Sequence, residues 1–334
     1  MQGRDPQLSV ILSTLGNYDV LRRVLDGYDR QDAEPGSFEL IVVADKADLE
    51  PERVDRAIGE RSYPVRRITG RMAGLSANRN TGWREARAPL ILITDNDTIP
   101  VPGLVSEHLA WHRRHREEEV AVAGHVRWAK ELGRSPFMTW LDHGPQFGFP
   151  HIKGIEASWA HLYGANSSMK RGFIERVGDW DEVRLPYLYD DLDWSYRAQK
   201  HGLRVLYARR AIVDHVRHDA NVEWWKTKMP RLARAEWSFS QIHPELTPHF
   251  HYMFSKAARL PPARGRLARL AHRVPPKVPL LGKLVWGSAD VYFPQQLAPY
   301  FLAAWEELER EGRAQSEPVE LPASAGGSEP SGPK

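Results

Sequence analysis

A short apolar run, Leu90-Ile91-Leu92-Ile93-Thr94, passes straight into Asp95-Asn96-Asp97, and no other stretch constrains this chain so tightly. The run has the length of a strand and lacks polar alternation, so both of its faces must be buried. That is the habit of strands in parallel sheets covered by helices. The residues before it repeat the pattern. Leu8 to Leu15 reads as a first buried strand, followed by a helix with Asn17 or Asp19 as cap and Val20, Leu21, Val24 and Leu25 on one face. Pro35-Gly36 breaks the chain, and Phe38 to Ala44 forms a second strand ending at Asp45. Residues 51–61 read as a helix, Val65 to Ile68 as a third strand, and 75–87 as a helix after Gly74. The order β-α-β-α-β-α-β predicts an α/β fold with a mostly parallel central sheet and flanking helices. Ligands of such sheets gather at the carboxyl ends of strands, which places Ser13, Asp45, Asp95 and Asp97 around one crevice.

Further along, a helix over 103–118 and a strand over 120–128 are expected. The stretch 133–165 is rich in Gly, Pro and aromatics and reads as irregular, lining a site. Ser167 to Val177 reads as a helix, and Leu192 to Lys200 as another, ended by Gly202. Leu203 to Tyr207 and Ala211 to Val213 are two short strand candidates. From Glu223 the pattern turns helical, with breaks at Pro261, Pro262, Pro275, Pro276 and Pro279. The chain of 334 residues therefore divides into an α/β domain over 1–222 and a helical C-terminal region over 223–312. Residues 313–334, rich in Ser, Pro, Gly and Glu, are expected to be a disordered tail.

Composition excludes some chemistry. There are no cysteines, which rules out disulfides, thiolate metal sites and a cysteine nucleophile. The N-terminus shows no secretory signal, and no apolar run approaches the roughly 18–20 residues of a membrane span. Cytoplasmic is the default expectation. Net charge is only +3, but between Lys256 and Ala289 there are eight Lys/Arg and no Asp or Glu. Two readings of that segment stand. It is a peripheral contact with anionic lipid at the inner face of a membrane, with Leu260, Leu267, Leu270, Leu280 and Leu281 as its apolar side. Otherwise it is a set of solvated helix faces packed on the main domain. No nucleic-acid motif accompanies the charge.

The chemistry rests on two acidic groups. A tight Asp-x-Asp turn at a strand end gives one carboxylate to a divalent cation and the other to a ribose or a water; Mg²⁺ typically takes one or two carboxylates plus substrate phosphates. Taken alone, the triplet is equally an Asx turn. Asp190-Asp191-Leu192-Asp193 opens a helix, where Asp is a common cap, yet three carboxylates in four residues exceed capping needs. Their repulsion must be offset by a metal, a base role or cations such as Arg197, and a carboxylate pair suits a general base. His215, after a short strand, could complete a metal shell or simply be structural. Gly70 to Gly74, with Arg71 and Arg79 beside a helix N-terminus, could receive a diphosphate. Neither a Walker loop nor a dinucleotide fingerprint is present. Trp140, Trp159, Trp224 and Trp225 either form an acceptor platform or pack the C-terminal helices.

These stretches, taken in order, resemble the family 2 glycosyltransferases, which have the GT-A fold. The anchors are Ser9-Val10-Ile11-Leu12-Ser13-Thr14, Glu39 to Asp45, Gly74 to Gly82, Asp95-Asn96-Asp97, Gly164-Ala165-Asn166, Val177 to Glu182 and Asp190 to Arg197. The resemblance runs from Leu8 to about His215. It implies a GT-A sheet and transfer of a sugar from a nucleoside-diphosphate-sugar to an acceptor hydroxyl, with a divalent cation, Mn²⁺ or Mg²⁺. It implies that Ser13 and Asp45 border the nucleotide base and that Arg71, Arg79 and Asp95 lie along the donor. Asp97, with Asp95 and His215, would hold the metal. Asp191 would be the general base, and Asn166, Asp190 and Trp159 would lie near the donor sugar and acceptor. The acceptor would be a saccharide, a lipid-linked glycan or a small molecule. Leu15 stands where the family commonly has an aromatic, Ala44 where it has a first Asp, and Asp190 where Glu is more usual. The competing readings are a sugar nucleotidyltransferase, opposed by the lack of a Gly-rich basic first loop, and a non-catalytic binding module on the same fold.

Overall fold

The structure is a computed structural model, which describes residues 5–216 and 220–316. The first part alternates strand and helix as expected: β1 (Leu8–Thr14), α1 (Tyr18–Asp29), β2 (Phe38–Ala44), α2 (Pro51–Ile58), β3 (Val65–Thr69), α3 (Leu75–Glu85) and β4 (Leu90–Asp95). A short β5 (Thr98–Pro100), α4 (Leu104–Arg114) and β6 (Val120–Trp128) follow. Next come α5 (Pro136–His143), β7 (Glu156–Ala157), β8 (Asn166–Lys170), α6 (Arg171–Val177), α7 (Asp190–Gln199) and β9 (Arg204–His215). The C-terminal region holds α8 (Val222–Ile242), α9 (His249–Ala258), α10 (Gly265–Ala268) and α11 (Leu281–Ser316). The tail expected over 313–334 falls outside the described residues from 317 onward, and α11 runs through Ser316.

The strands form one sheet in the order β3-β2-β1-β4-β8-β6-β9-β5, with β7 paired to β9. β1, β2, β3 and β4 are mutually parallel, and β6 is parallel to β9. β8 is antiparallel to both β4 and β6, so β6 and β9 run with β1 to β4 and the carboxyl ends of all six meet at one edge. Every residue of β1 and β2 is buried because both faces are covered. On one face Leu8, Val10 and Leu12 pack with Leu21, Val24 and Leu25 of α1. On the other, Ile11, Ile41, Val43 and Ile93 pack with Trp83, Phe173 and Trp194. This is the mostly parallel α/β sheet implied by the GT-A resemblance.

Three local expectations are corrected. The helix read over Ser167–Val177 begins as strand β8 and becomes helical only at Arg171. Its Ser and Asn side chains are buried and hydrogen-bonded, so sheet pairing overrides weak strand propensity. The two short strands after Leu203 are one strand, β9, whose pairing to β6 jumps from Gly124–Ala208 to His125–Ile212 across a bulge. The stretch 133–165 contains α5, with Ser135 as cap accepting from Met138 N. Its Phe137, Trp140 and Leu141 enter a second core with Phe254, Phe293 and Phe301 of the C-terminal helices.

Candidate active site

Arg79 brings the two acidic groups together. It projects from α3, is almost fully buried, forms an ion pair with Asp190, and lies 4.0 Å from Asp95 Oδ1. Gly164 closes over it, where a Cβ would stand 1.9 Å from the guanidinium. The same Gly164 donates its N–H to Asp191 Oδ2 at 3.1 Å. Thus Asp95 and Asp190, nearly a hundred residues apart in sequence, meet at one cation at the carboxyl edge of the sheet, and Gly164 holds Asp191 beside them. Burial pushes the Asp95 carboxyl up to about 6, with Arg79 opposing and Asp97 adding to the rise. Burial likewise raises Asp190, against the pull of Arg79 and with the push of Asp191.

The three carboxylates of α7 have separate partners. Asp190 has Arg79; Asp193 accepts from Arg197 Nε at 2.9 Å and faces His243 Nε2 at 2.8 Å. Asp191 takes its bonds from two backbone N–H groups, Gly164 and its own neighbour Leu192. Among the described residues it has no ion-pair partner, and its side chain is half-buried rather than sealed. The residue before this run, Tyr189, is held at φ 65°, uncommon for a bulky side chain. Its hydroxyl donates to buried Glu236 of α8 at 2.5 Å.

Asp97 and His215 also meet. The β5–β9 pairing sets Thr98 opposite His215, which brings His215 Nε2 to 3.2 Å from Asp97 Oδ2. His215 is buried, stacked on Trp128 at 5.2 Å, and its Nδ1 has no hydrogen-bond partner among the described residues. A carboxylate beside an imidazole suits Mn²⁺, and Asp95, two residues earlier at the end of β4, offers an oxygen suited to Mg²⁺ as well. Among the described residues no three His, Asp or Glu side chains form a ready-made metal group. A cation here would need oxygens from water or a ligand's phosphates. Asn96 ties the turn to the first loop, donating to Thr14 Oγ1 at 2.9 Å and to Gly16 O at 3.3 Å.

The other expected residues are placed as follows. Ser13 stands opposite Asp95 on the neighbouring strand, and its Oγ is buried without a partner among the described residues. Asp45 is buried; it accepts from Ala47 N at 2.8 Å and from Gly74 N and Asn78 Nδ2, both at 2.9 Å. Arg71 is half-exposed and clamps Glu182 through two guanidinium nitrogens. The Ser76 N–H is given to Pro186 O, so the start of α3 is less open to a diphosphate than its sequence suggests. Asn166 turns its amide into the sheet, donating to Ala211 O at 3.0 Å and accepting from His108 Nε2 at 2.9 Å. Trp159 packs against Tyr196 of α7 at 5.1 Å. Trp140 and Trp225 pack Phe137 in the second core, and Trp224 meets Lys228 at 4.7 Å. Gly164, Glu182, Tyr189 and Glu236 carry the site without having been assigned roles from sequence; only Gly164 and Glu182 lay in motifs that could have flagged them.

Beside His215, across Trp128, opens a cavity of about 480 Å³ lined by His125, Arg127, Trp128, Lys130, Arg134 and Asp142 among others. Asp142 is pushed up to about 6 by burial.

The family described as Glycosyltransferase like family 2 matches residues 6–234. The chain belongs to that family. Validoxylamine A glucosyltransferase of Streptomyces hygroscopicus subsp. limoneus is 25% identical over 284 residues, covering 74% of this chain and 59% of that protein. The homologue from subsp. jinggangensis is 24% identical, covering 74% of this chain and 63% of that one. The chain thus spans about three-fifths of the length of these relatives. Among solved structures, the mannosyltransferase PcManGT from Pyrobaculum calidifontis, in complex with GDP-Man and Mn²⁺, aligns with a TM-score of 0.53 at 17% identity. That alignment covers 94% of this chain and 81% of that one. S. aureus TarS 1–349 in complex with UDP aligns at 0.50 and 14% identity, over 91% of this chain and 92% of the other. At these identities the structures speak for the fold, that of GT-A glycosyltransferases.

Proposed function

We propose that this family 2 member is a metal-dependent inverting glycosyltransferase, moving a sugar from a nucleoside-diphosphate-sugar to an acceptor hydroxyl. One observation carries the reading: Arg79 gathers Asp95 and Asp190 while Gly164 turns Asp191 toward the same point. Asp191 is the general base. It alone in its run keeps a carboxylate unneutralised by a cationic side chain, held in orientation by backbone N–H groups. It takes the acceptor proton as the hydroxyl oxygen bonds to the anomeric carbon. The bond to the nucleoside diphosphate breaks on the opposite face, which inverts the centre.

Asp97, with Asp95 and His215, would hold Mn²⁺ or Mg²⁺. When bound, the cation neutralises charge on the departing diphosphate as a Lewis acid. Ser13, with its unpartnered hydroxyl, and Asp45 border the nucleotide; Arg71 lies along the donor side. Arg79, Asp190 and Asn166 position the site from beneath, and Trp159 flanks the acceptor side of α7. The 480 Å³ cavity beside Trp128 is large enough for a sugar-sized acceptor, whether a saccharide, a lipid-linked glycan or a small molecule. The protein would work in the cytoplasm, with 256–289 as a peripheral membrane contact; no helix among the described residues is long and apolar enough to cross a membrane.

The test is thermal stability against nucleoside diphosphates with and without Mn²⁺ or Mg²⁺. A ligand at a hundredfold excess over Kd stabilises by about 2.7 kcal/mol. The expected result is a metal-dependent shift with one nucleotide that disappears in Asp97→Ala, and donor hydrolysis that is lost in Asp191→Asn. Nucleotide binding without hydrolysis or transfer by the wild type would leave the binding-module reading instead.

A further inference from the structure

All eight Lys and Arg side chains between Lys256 and Lys283 are exposed, and among the described residues none has an acidic partner within 4.0 Å. Six of the fourteen exposed large apolar side chains among the described residues fall in the same short stretch. They are Leu260, Leu270, Val278, Leu280, Leu281 and Leu284, the last four within seven residues. Leu280 is 81% exposed and Leu284 is 61% exposed. Apolar side chains are ordinarily scattered singly over a surface; a cluster ringed by cations marks an interaction site.

This knuckle is built. Pro275, Pro276 and Pro279 fix the approach, and Val278 N and Gly282 N bond back to Pro275 O and Val278 O at 3.1 and 2.8 Å. Gly282 packs so closely that a Cβ would stand 2.7 Å from Pro276 O. Leu280 itself is held at φ 57°, a strained conformation for a leucine. Strain and exposure together have no reward within the chain. Behind the knuckle, Trp286 of α11 packs on His143 of α5 at 4.1 Å, next to Asp142 of the cavity wall.

We propose that the Val278–Leu284 knuckle docks on an anionic lipid bilayer, with its leucines among the acyl chains and Lys277, Lys283 and Arg273 on the headgroup phosphates. An anionic bilayer answers both halves of the surface at once. A polyanion in water would pair the cations but leave the leucines exposed, and a second copy of this segment would set like charges against each other. Trp286 links the knuckle to α5 next to the cavity proposed for the acceptor, and a lipid-borne acceptor there rests on the proposed transferase function.

The experiment is co-sedimentation of the full chain with vesicles of phosphatidylcholine alone and of phosphatidylcholine mixed with phosphatidylglycerol. It needs neither donor nor cation, so its outcome is independent of the transferase reading. Retention is expected only on the mixed vesicles. Leu280→Glu/Leu284→Glu and Lys277→Glu/Lys283→Glu should each lower the partition coefficient about tenfold or more. Because all four side chains are exposed, melting temperature should not change, which separates lost docking from lost folding. Equal retention on both vesicle types, or retention indifferent to both double variants, would overturn the proposal. So would a dimer in sedimentation velocity that the leucine variant dissociates while vesicles go unbound.

Discussion

Three aspartates within four residues do three different jobs, and substitution separates them. Asp190 is buried against Arg79, so Asp190→Asn removes the nearer counter-charge of a buried guanidinium and, among the described residues, leaves only Asp95 at 4.0 Å as an ion-pair partner. Breaking a buried pair on one side typically costs about 3–5 kcal/mol, so that variant should melt well below the wild type. Asp191 is half-buried and bonded only through backbone N–H groups. Asp191→Asn should keep the melting temperature and nucleotide affinity while turnover falls on the order of 10²–10⁴-fold, the usual worth of a general base. If Asp191→Asn retained most of its turnover in a transfer assay, the base would have to be another group. That Asp95, Asp97 and His215 would stand at strand ends was legible in sequence from the apolar runs before them, whereas Asp191 was set apart from its neighbours only by the family resemblance. The role of Arg79 was not. A helical Arg beside Asn78 and Asn80 gives no sign that it will be sealed against a carboxylate from the far side of the chain.

Helix α7 holds its place through elements that follow it in the chain. Glu236 of α8 accepts from the Tyr189 hydroxyl and from the N–H groups of Phe250 and His251 at the start of α9. His243 and Glu245 add contacts to Asp193 and Tyr196. Tyr189 keeps its left-handed backbone only while this net over-determines it. Glu236→Leu should therefore lower kcat with little change in donor KM, and Glu236→Gln should recover part of it; unchanged kcat in Glu236→Leu would make the contact merely structural. A second network sets a pH dependence. Asn166 donates both amide hydrogens to carbonyls, so its oxygen must accept from His108 Nε2. His108 Nδ1 then accepts from the Ser168 hydroxyl, which accepts from His112 Nε2, while His112 Nδ1 accepts from Lys170 Nζ. Burial lowers His108 from 6.5 to about 4, and lowers His112 to about 3 with Lys170 adding to the effect. Both are neutral when folded, so the unfolded chain binds more protons below its own pKa. Stability should be full above pH 6.5 and fall as pH drops toward 4, by roughly 3 kcal/mol for His108 alone. Urea unfolding across that range should show the slope, and His108→Gln should flatten it. This network explains why β8 escaped sequence reading. Asn-Ser-Ser-Met-Lys has no strand pattern, and its polar groups become a strand only because His108, His112 and two carbonyls lie waiting for them. Strands β1, β2 and β4 were legible because burial on both faces leaves unbroken apolar runs.

At the scale of the whole molecule, the chain has cores on both sides of the sheet and a further one among the C-terminal helices, and these do not divide where the sequence changes character. Residue 222 is where strands stop and helices take over. Yet Trp128 at the end of β6, and Phe137, Met138, Trp140 and Leu141 of α5, pack with Met229, Phe254, Phe293 and Phe301. The link is chemical as well as apolar, since Trp140 Nε1 donates to Asp290 Oδ1 at 3.2 Å. Prolines show why the boundary looked clean. Those at 261, 262, 275, 276 and 279 lie between helices, whereas Pro230, Pro294 and Pro299 sit inside α8 and α11, where tertiary packing absorbs their lost hydrogen bonds. A chain ending at 222 would expose five large side chains, each worth about 1.5–3 kcal/mol when buried. It would also lose Glu236 and His243 and so release α7. That fragment should aggregate or lack a cooperative melt, whereas a chain ending at 316, which keeps all of the second core, should melt cooperatively. Soluble yield and near-ultraviolet dichroism of the two truncations decide the matter. A 1–222 fragment with a sharp transition and intact nucleotide binding would mean that the helical region is an appendage rather than the wall against which the site is built.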